Sequence, residues 1–166
     1  MPWQPVYVGL GSNLDQPPQQ IRRALQALGT VPDTQLLRHS RLYRSRPLGP
    51  VVQADFCNAV AALQTRLDAV ALHTALRALE LSLGRDPAGE RWGPRLIDLD
   101  LLVFADLRID LPQLTVPHPG IAARNFVLLP LLEVAPALVI PGVGPVRELA
   151  LKIGSEGISP MDEAAG

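Results

Sequence analysis

Apolar residues recur along the chain in two periods, and the switches between them set an order of elements. Val6-Tyr7-Val8-Gly9-Leu10 is a short continuous apolar run and predicts a buried strand. Asp15 followed by Pro17 and Pro18 suits a helix start, and Ile21, Leu25 and Leu28 then recur at helical spacing until Gly29. From Gln35 to Tyr43 the pattern is extended, with Leu37, His39, Arg41 and Tyr43 on one face, before Pro47, Gly49 and Pro50 break it. Phe56 to Leu63 is apolar on both faces, a strand covered on both sides.

Asp68 is placed to cap a long helix whose stripe is Val70, Leu72, Leu76, Leu79 and Leu83, ending at Gly84. A polar stretch with Gly and Pro from Arg85 to Leu96 predicts a loop, and Ile97 to Phe104 is the most strand-like run in the chain. A short extended piece around Leu107–Ile109, a loop to Pro119, a helix around Phe126–Val134 and a short strand at Leu138–Ile140 follow. Strand, helix, strand, strand, helix, strand is the split βαβ order. It predicts an α+β, ferredoxin-like single domain: a mostly antiparallel sheet with helices packed on its faces. Residues 1–153 form the domain, and 154–166 are expected as a polar, flexible tail.

Composition narrows the function. The 166 residues carry a formal net charge of −1, so there is no global basic field and nucleic acid is not an expected partner. No N-terminal segment reads as a signal peptide, and the apolar stretch 126–146 is broken by prolines and glycines. A monomer in the cytoplasm with no membrane partner is expected. Of fifteen basic residues only Lys152 is lysine, so phosphate binding falls to arginine, whose planar fork suits bidentate contacts. The single cysteine, Cys57, sits in the two-faced strand and reads as core.

The strongest chemical signal is Arg91-Trp92-Gly93-Pro94-Arg95-Leu96-Ile97-Asp98-Leu99-Asp100. Two carboxylates two apart on a strand share a face at roughly 6–7 Å, with Ile97, Leu99 and Leu101 turned into the core. They are either two solvated acids or ligands for a hard cation. Arg85, Arg91 and Arg95 just before them favour a Mg²⁺–phosphate site. Trp92 belongs to a closing loop or anchors that loop on the sheet edge. Gly9-Leu10-Gly11-Ser12-Asn13-Leu14 is a turn, because Leu14 stands where a dinucleotide fingerprint needs glycine. No Walker A sequence is present, and His39, His73 and His118 share no zinc spacing. His118 and Arg124 form a pair able to face a phosphate, while Phe56 and Phe126 by default pack in the core.

Gly11-Ser12-Asn13-Leu14, Tyr43-Arg44-Ser45, Pro47-Leu48-Gly49-Pro50, Phe56 with Asn58, Glu80, Gly84-Arg85, Glu90 to Arg95 leading into Asp98-Leu99-Asp100, Thr115-Val116-Pro117-His118, Arg124 with Phe126, and Pro130-Leu131 with Glu133 together resemble the 6-hydroxymethyl-7,8-dihydropterin pyrophosphokinase family. The resemblance runs over about residues 6–141. It implies transfer of pyrophosphate from ATP to the hydroxymethyl group of a dihydropterin, giving AMP, in folate biosynthesis. It implies two Mg²⁺ ions on Asp98 and Asp100, with Arg85 and Arg95 beside them as catalytic residues. Ser45, Arg46, Leu48, Phe56, Asn58, Trp92, Asp98 and Phe126 would bind the pterin. Glu80, Arg85, Arg91, Trp92, Arg95, Thr115, His118 and Arg124 would serve ATP. Arg46 departs from the family pattern, standing where proline is frequent in the pterin loop. Two other readings stay open: a metal-dependent nucleotidyl transferase, which needs a third acid on a neighbouring strand or a basic groove, and a non-catalytic small-ligand module.

Overall fold

The computed structural model describes residues 2–85 and 93–161. Its elements run β1 (Gln4–Ser12), α1 (Pro17–Leu28), β2 (Thr34–His39), β3 (Tyr43–Ser45), β4 (Phe56–Thr65), α2 (Ala69–Ser82), β5 (Asp98–Phe104), β6 (Ile109–Leu111), β7 (Leu114–Val116), α3 (Asn125–Val134), β8 (Val139–Ile140), β9 (Gly144–Pro145), α4 (Val146–Ile153) and β10 (Ile158–Pro160). The main sheet has the order β10-β3-β4-β1-β5 with β2 also on β4, and every neighbouring pair is antiparallel. This is the expected α+β architecture: β1 lies between the two strands, β4 and β5, that α2 connects.

Helices cover both faces. Ile21, Ala24, Leu25 and Leu28 of α1 and Ala69, Leu72 and Leu76 of α2 pack on Val6, Val8, Leu10, Ala61, Leu99 and Leu101. Val127, Leu128, Leu131 and Val134 of α3, with Val146 and Ala150 of α4, pack on Val60, Ala62, Leu102 and Val103 of the opposite face. That is why β4 and β5 are apolar on both sides. A bulge at Leu102, where β1 advances from Val8 to Tyr7 while β5 skips a residue, turns Leu102 and Val103 to the same face.

Several expectations are corrected. Asp68 does cap α2, accepting the Ala71 N–H at 2.8 Å, but Val70 is exposed and the buried stripe is Ala69, Leu72, Leu76 and Glu80. The extended stretch 35–43 is two strands, β2 ending at His39 and β3 starting at Tyr43, and a register shift between Leu36 and Arg38 within β2 leaves Leu37 exposed. Helix α4 and strand β7 were not anticipated; α4 is short, and β7 is a three-residue partner of β6. Of the tail expected as flexible over 154–166, the described part returns to the sheet, where Ile158–Pro160 pair with Tyr43–Ser45 and Ile158 is buried, and 162–166 lie outside the described residues. Glu133 accepts hydrogen bonds from the Tyr43 hydroxyl and the Arg41 N–H, tying α3 to the β3 region. No described helix is long and apolar enough to cross a membrane.

Candidate active site

The strand pairing builds the floor of one cavity. Tyr43, Asn58, Gly11 and Asp98 form one row across β3, β4, β1 and β5, and Val60, Gly9 and Asp100 form the next. Directly opposed residues of an antiparallel pair share a face, so both acids stand beside glycines on the face of the sheet that carries α3. A Cβ at Gly11 would lie 3.1 Å from Asn58 Oδ1, and one at Gly9 would lie 3.4 Å from the Leu102 side chain. The two glycines thus keep open a cavity of about 310 Å³ between the acids and the other strands.

At one end of the cavity are Phe56, Asn58, Ser45, Arg46, Leu48 and Phe126; at the other are Asp98, Asp100, Arg85, Arg95, His118 and Arg124. Asn58 Nδ2 donates to Ser45 Oγ. The Arg124 guanidinium lies 5.8 Å from the centre of the Phe126 ring. Asn13 secures the rim: its side-chain amide donates to Ala54 O at 2.9 Å, and its Oδ1 accepts the Arg95 N–H at 2.8 Å. The segment from Gly9, expected as a turn, is instead strand β1 as far as Ser12, and Asn13 just after it ties two loops.

Behind the acids is an ion network centred on one buried carboxylate. Glu80, 1% exposed, accepts Arg85 Nη1 and Arg77 Nη1 at 2.8 Å each and the Leu99 N–H at 2.7 Å. Arg77 Nη2 donates to Leu99 O at 2.6 Å and lies 3.6 Å from Asp100. Helix α2 therefore satisfies both outward-facing backbone groups of Leu99, between the two aspartates. Arg85 Nη2 is 3.4 Å and Arg95 Nε 3.9 Å from Asp98 Oδ1. Burial, then the Asp100 carboxylate, push Asp98 up to about 6 against the pull of these arginines. Burial also lowers the His118 imidazole below its ordinary value. With Nδ1 accepting the Gly120 N–H at 3.1 Å, the neutral ring keeps its proton on Nε2, a donor without charge.

Twelve of the anticipated residues meet at this cavity: Ser45, Arg46, Leu48, Phe56, Asn58, Arg85, Arg95, Asp98, Asp100, His118, Arg124 and Phe126. Glu80, expected at ATP, instead lies behind the wall and holds Arg77, Arg85 and Leu99 in place. Thr115 is an exposed residue of β7 and does not line the cavity. Glu90, Arg91 and Trp92 lie outside the described residues. Sequence reading missed the floor glycines Gly9 and Gly11, and Arg77, whose signal was its place one turn before Glu80 on the same helix face.

The family model for 7,8-dihydro-6-hydroxymethylpterin-pyrophosphokinase (HPPK) matches residues 7–136. The chain belongs to the HPPK family. It is 48% identical to the 2-amino-4-hydroxy-6-hydroxymethyldihydropteridine pyrophosphokinase of Pseudomonas aeruginosa, over 97% of this chain and 99% of that one. It is 41% identical to the Haemophilus influenzae protein of the same name, over 86% and 89%. In fold it is similar to the HPPK-DHPS of Plasmodium falciparum, at a TM-score of 0.72 and 15% identity, covering 91% of this chain and 43% of that one. This HPPK-family chain thus spans less than half the length of that structural relative.

Proposed function

We propose that the reaction for which the HPPK family is named, pyrophosphate transfer from ATP to the hydroxymethyl group of 6-hydroxymethyl-7,8-dihydropterin, takes place in this cavity. One observation carries the assignment: a single cavity joins an aromatic, amide-bearing end to an end with two carboxylates and several arginines. A flat heterocycle fits between Phe56 and Phe126, with Asn58 and Ser45 on its polar edge. A triphosphate fits Arg85, Arg95, Arg124 and the neutral Nε2–H of His118. The hydroxymethyl oxygen bonds to the β-phosphorus as the bond from that phosphorus to the α,β-bridging oxygen breaks, and AMP leaves with that oxygen. The Asp98 carboxylate is the acceptor for the hydroxyl proton in this reading.

The donor set suits magnesium. Asp98 and Asp100 offer hard oxygens on one face, their mutual repulsion is relieved by a cation, and no cluster of three acidic, histidine or cysteine ligands exists among the described residues. Such a pair fits an ion that completes its shell with phosphate and water. Two Mg²⁺ ions belong to this reading, and when bound they neutralise phosphate charge. The chain's own contribution is positioning and charge: Glu80 and Arg77 fix the segment carrying both acids, and the arginines orient the triphosphate. On the strand beside the acids the facing positions are Gly9 and Gly11, which speaks against the third carboxylate of a nucleotidyl transferase.

The test is an assay for AMP with ATP, Mg²⁺ and the dihydropterin, run beside Asp98→Ala. AMP that appears only with pterin and is lost in the variant is expected. ADP in its place would overturn the transferred group. No nucleotide product from folded protein that binds pterin would favour a ligand-binding module.

A further inference from the structure

The segment after α4 contacts two sides of the aromatic end of the cavity without lining it. On one side, Ile158, Ser159 and Pro160 pair with Ser45, Arg44 and Tyr43, and Gly157 O accepts the Arg46 N–H at 3.0 Å. Ser45 and Arg46 are cavity wall. On the other side, the side-chain amide of Asn125, the residue before Phe126, donates to Glu156 O at 2.8 Å and Gly154 O at 3.3 Å. Met161 N–H closes the strap on Leu42 O at 2.8 Å. Gly154 and Gly157 both hold φ of +74°, where other residues are strained. A Cβ at Gly157 would lie 2.7 Å from Arg46 Nε.

We propose that residues 154–161 are a strap that sets the separation between Phe126 and the Ser45–Leu48 wall, with Asn125 as a positioning residue for the pterin. This rests on the pterin reading above and adds a residue that touches neither substrate. One amide holds two backbone carbonyls at the strap's turn, while the strand holds the opposite wall. Releasing either end loosens the ring site and leaves the distant Asp98 end intact. The expected tenfold loss of affinity corresponds to about 1.4 kcal/mol, the order of one net hydrogen bond.

The test is calorimetric titration of 6-hydroxymethyl-7,8-dihydropterin, in the presence of Mg²⁺ and a non-hydrolysable ATP analogue, and separately of that analogue, into full-length wild type, Asn125→Asp and Gly157→Val. Asn125→Asp keeps the shape but sets carboxylate oxygens against the two carbonyls. Gly157→Val strains the turn and collides with Arg46. Each is expected to raise the pterin Kd about tenfold and to leave the analogue Kd within twofold. Steady-state kinetics should show pterin KM rising while ATP KM holds. If Asn125→Asp does not fold, Asn125→Ala removes the donors without adding charge and carries the same expectation. Equal weakening of both ligands, or no change in either, would overturn the strap. Wild type that binds the analogue but no pterin would overturn the pterin reading and the strap with it.

Discussion

Replacing Asp98 by asparagine should abolish transfer and yet stabilise the ligand-free protein. The carboxyl is pushed up to about 6 in the folded chain against an ordinary 3.8, because burial and Asp100 outweigh Arg85 and Arg95. At about 1.4 kcal/mol per tenfold change, holding this group ionised costs about 3 kcal/mol of folding free energy. The sign follows from which state binds the proton more tightly. The folded state does, so the Asp98 contribution to stability is fully present below about pH 4, is lost as pH rises from about 4 to about 6, and is level above that. Asparagine has the same shape and no charge, so its chain escapes that loss. Urea unfolding at pH 8 should show Asp98→Asn more stable by about 3 kcal/mol, and at pH 4 the two proteins should nearly coincide. In thermal melts at pH 8 this is about 6–12 °C for a chain of this size. Mg²⁺ with an ATP analogue should raise the stability of wild type far more than that of Asp98→Asn. An asparagine protein no more stable than wild type at pH 8, or one with the same advantage at pH 4, would refute the account of a site held ionised at a cost.

Gly11→Ala should weaken pterin binding several-fold by crowding Asn58 Oδ1, with ATP analogue binding unchanged, as separate titrations would show. Glu80→Ala should destabilise by about 3–5 kcal/mol in urea, since it strands Arg77 and Arg85 partly buried and leaves the Leu99 N–H unpaired. Arg124→Ala should raise ATP KM about tenfold or more, and a larger effect on pterin than on ATP would reassign that side chain. Arg77→Met should lower kcat and raise the Mg²⁺ concentration for half-maximal rate, through loss of its bond to Leu99 O beside Asp100.

The alternation of Asp98 and Asp100 against Ile97, Leu99 and Leu101 was legible because a period of two is enforced by a core on one side. So was α2, which is long, periodic and capped. What escaped reading depends on register between strands distant in sequence. Gly11 opens the cavity only because β1 places it between Asn58 and Asp98, and nothing local says so. Glu80 carries the sequence signature of a surface acid; only the packing of α2 on the edge of β5 buries it. The return of 154–161 was hidden for a related reason. Its strand is three residues long, and its pairing partner lies more than a hundred residues away. Family resemblance supplied the roles of Phe56 and Phe126, which the pattern alone left as core, and added weight to the His118 and Arg124 pair.

Among the described strands, β5 ends the sheet on one side, and β10 and the branch strand β2 on the other. A free edge invites another chain to add to it, and proteins guard against this with short strands, proline or covering charges. At β10 the guard is a three-residue strand ending in Pro160. At β5 it is Glu80 and Arg77, which occupy the hydrogen-bonding positions of Leu99 that an incoming strand would use. The groups that hold the two aspartates in place are thus the same ones that deter self-association. Variants at Glu80 or Arg77 selected for lost activity would be recovered disproportionately from the insoluble fraction of the cell, so screens of soluble enzyme alone would under-count them.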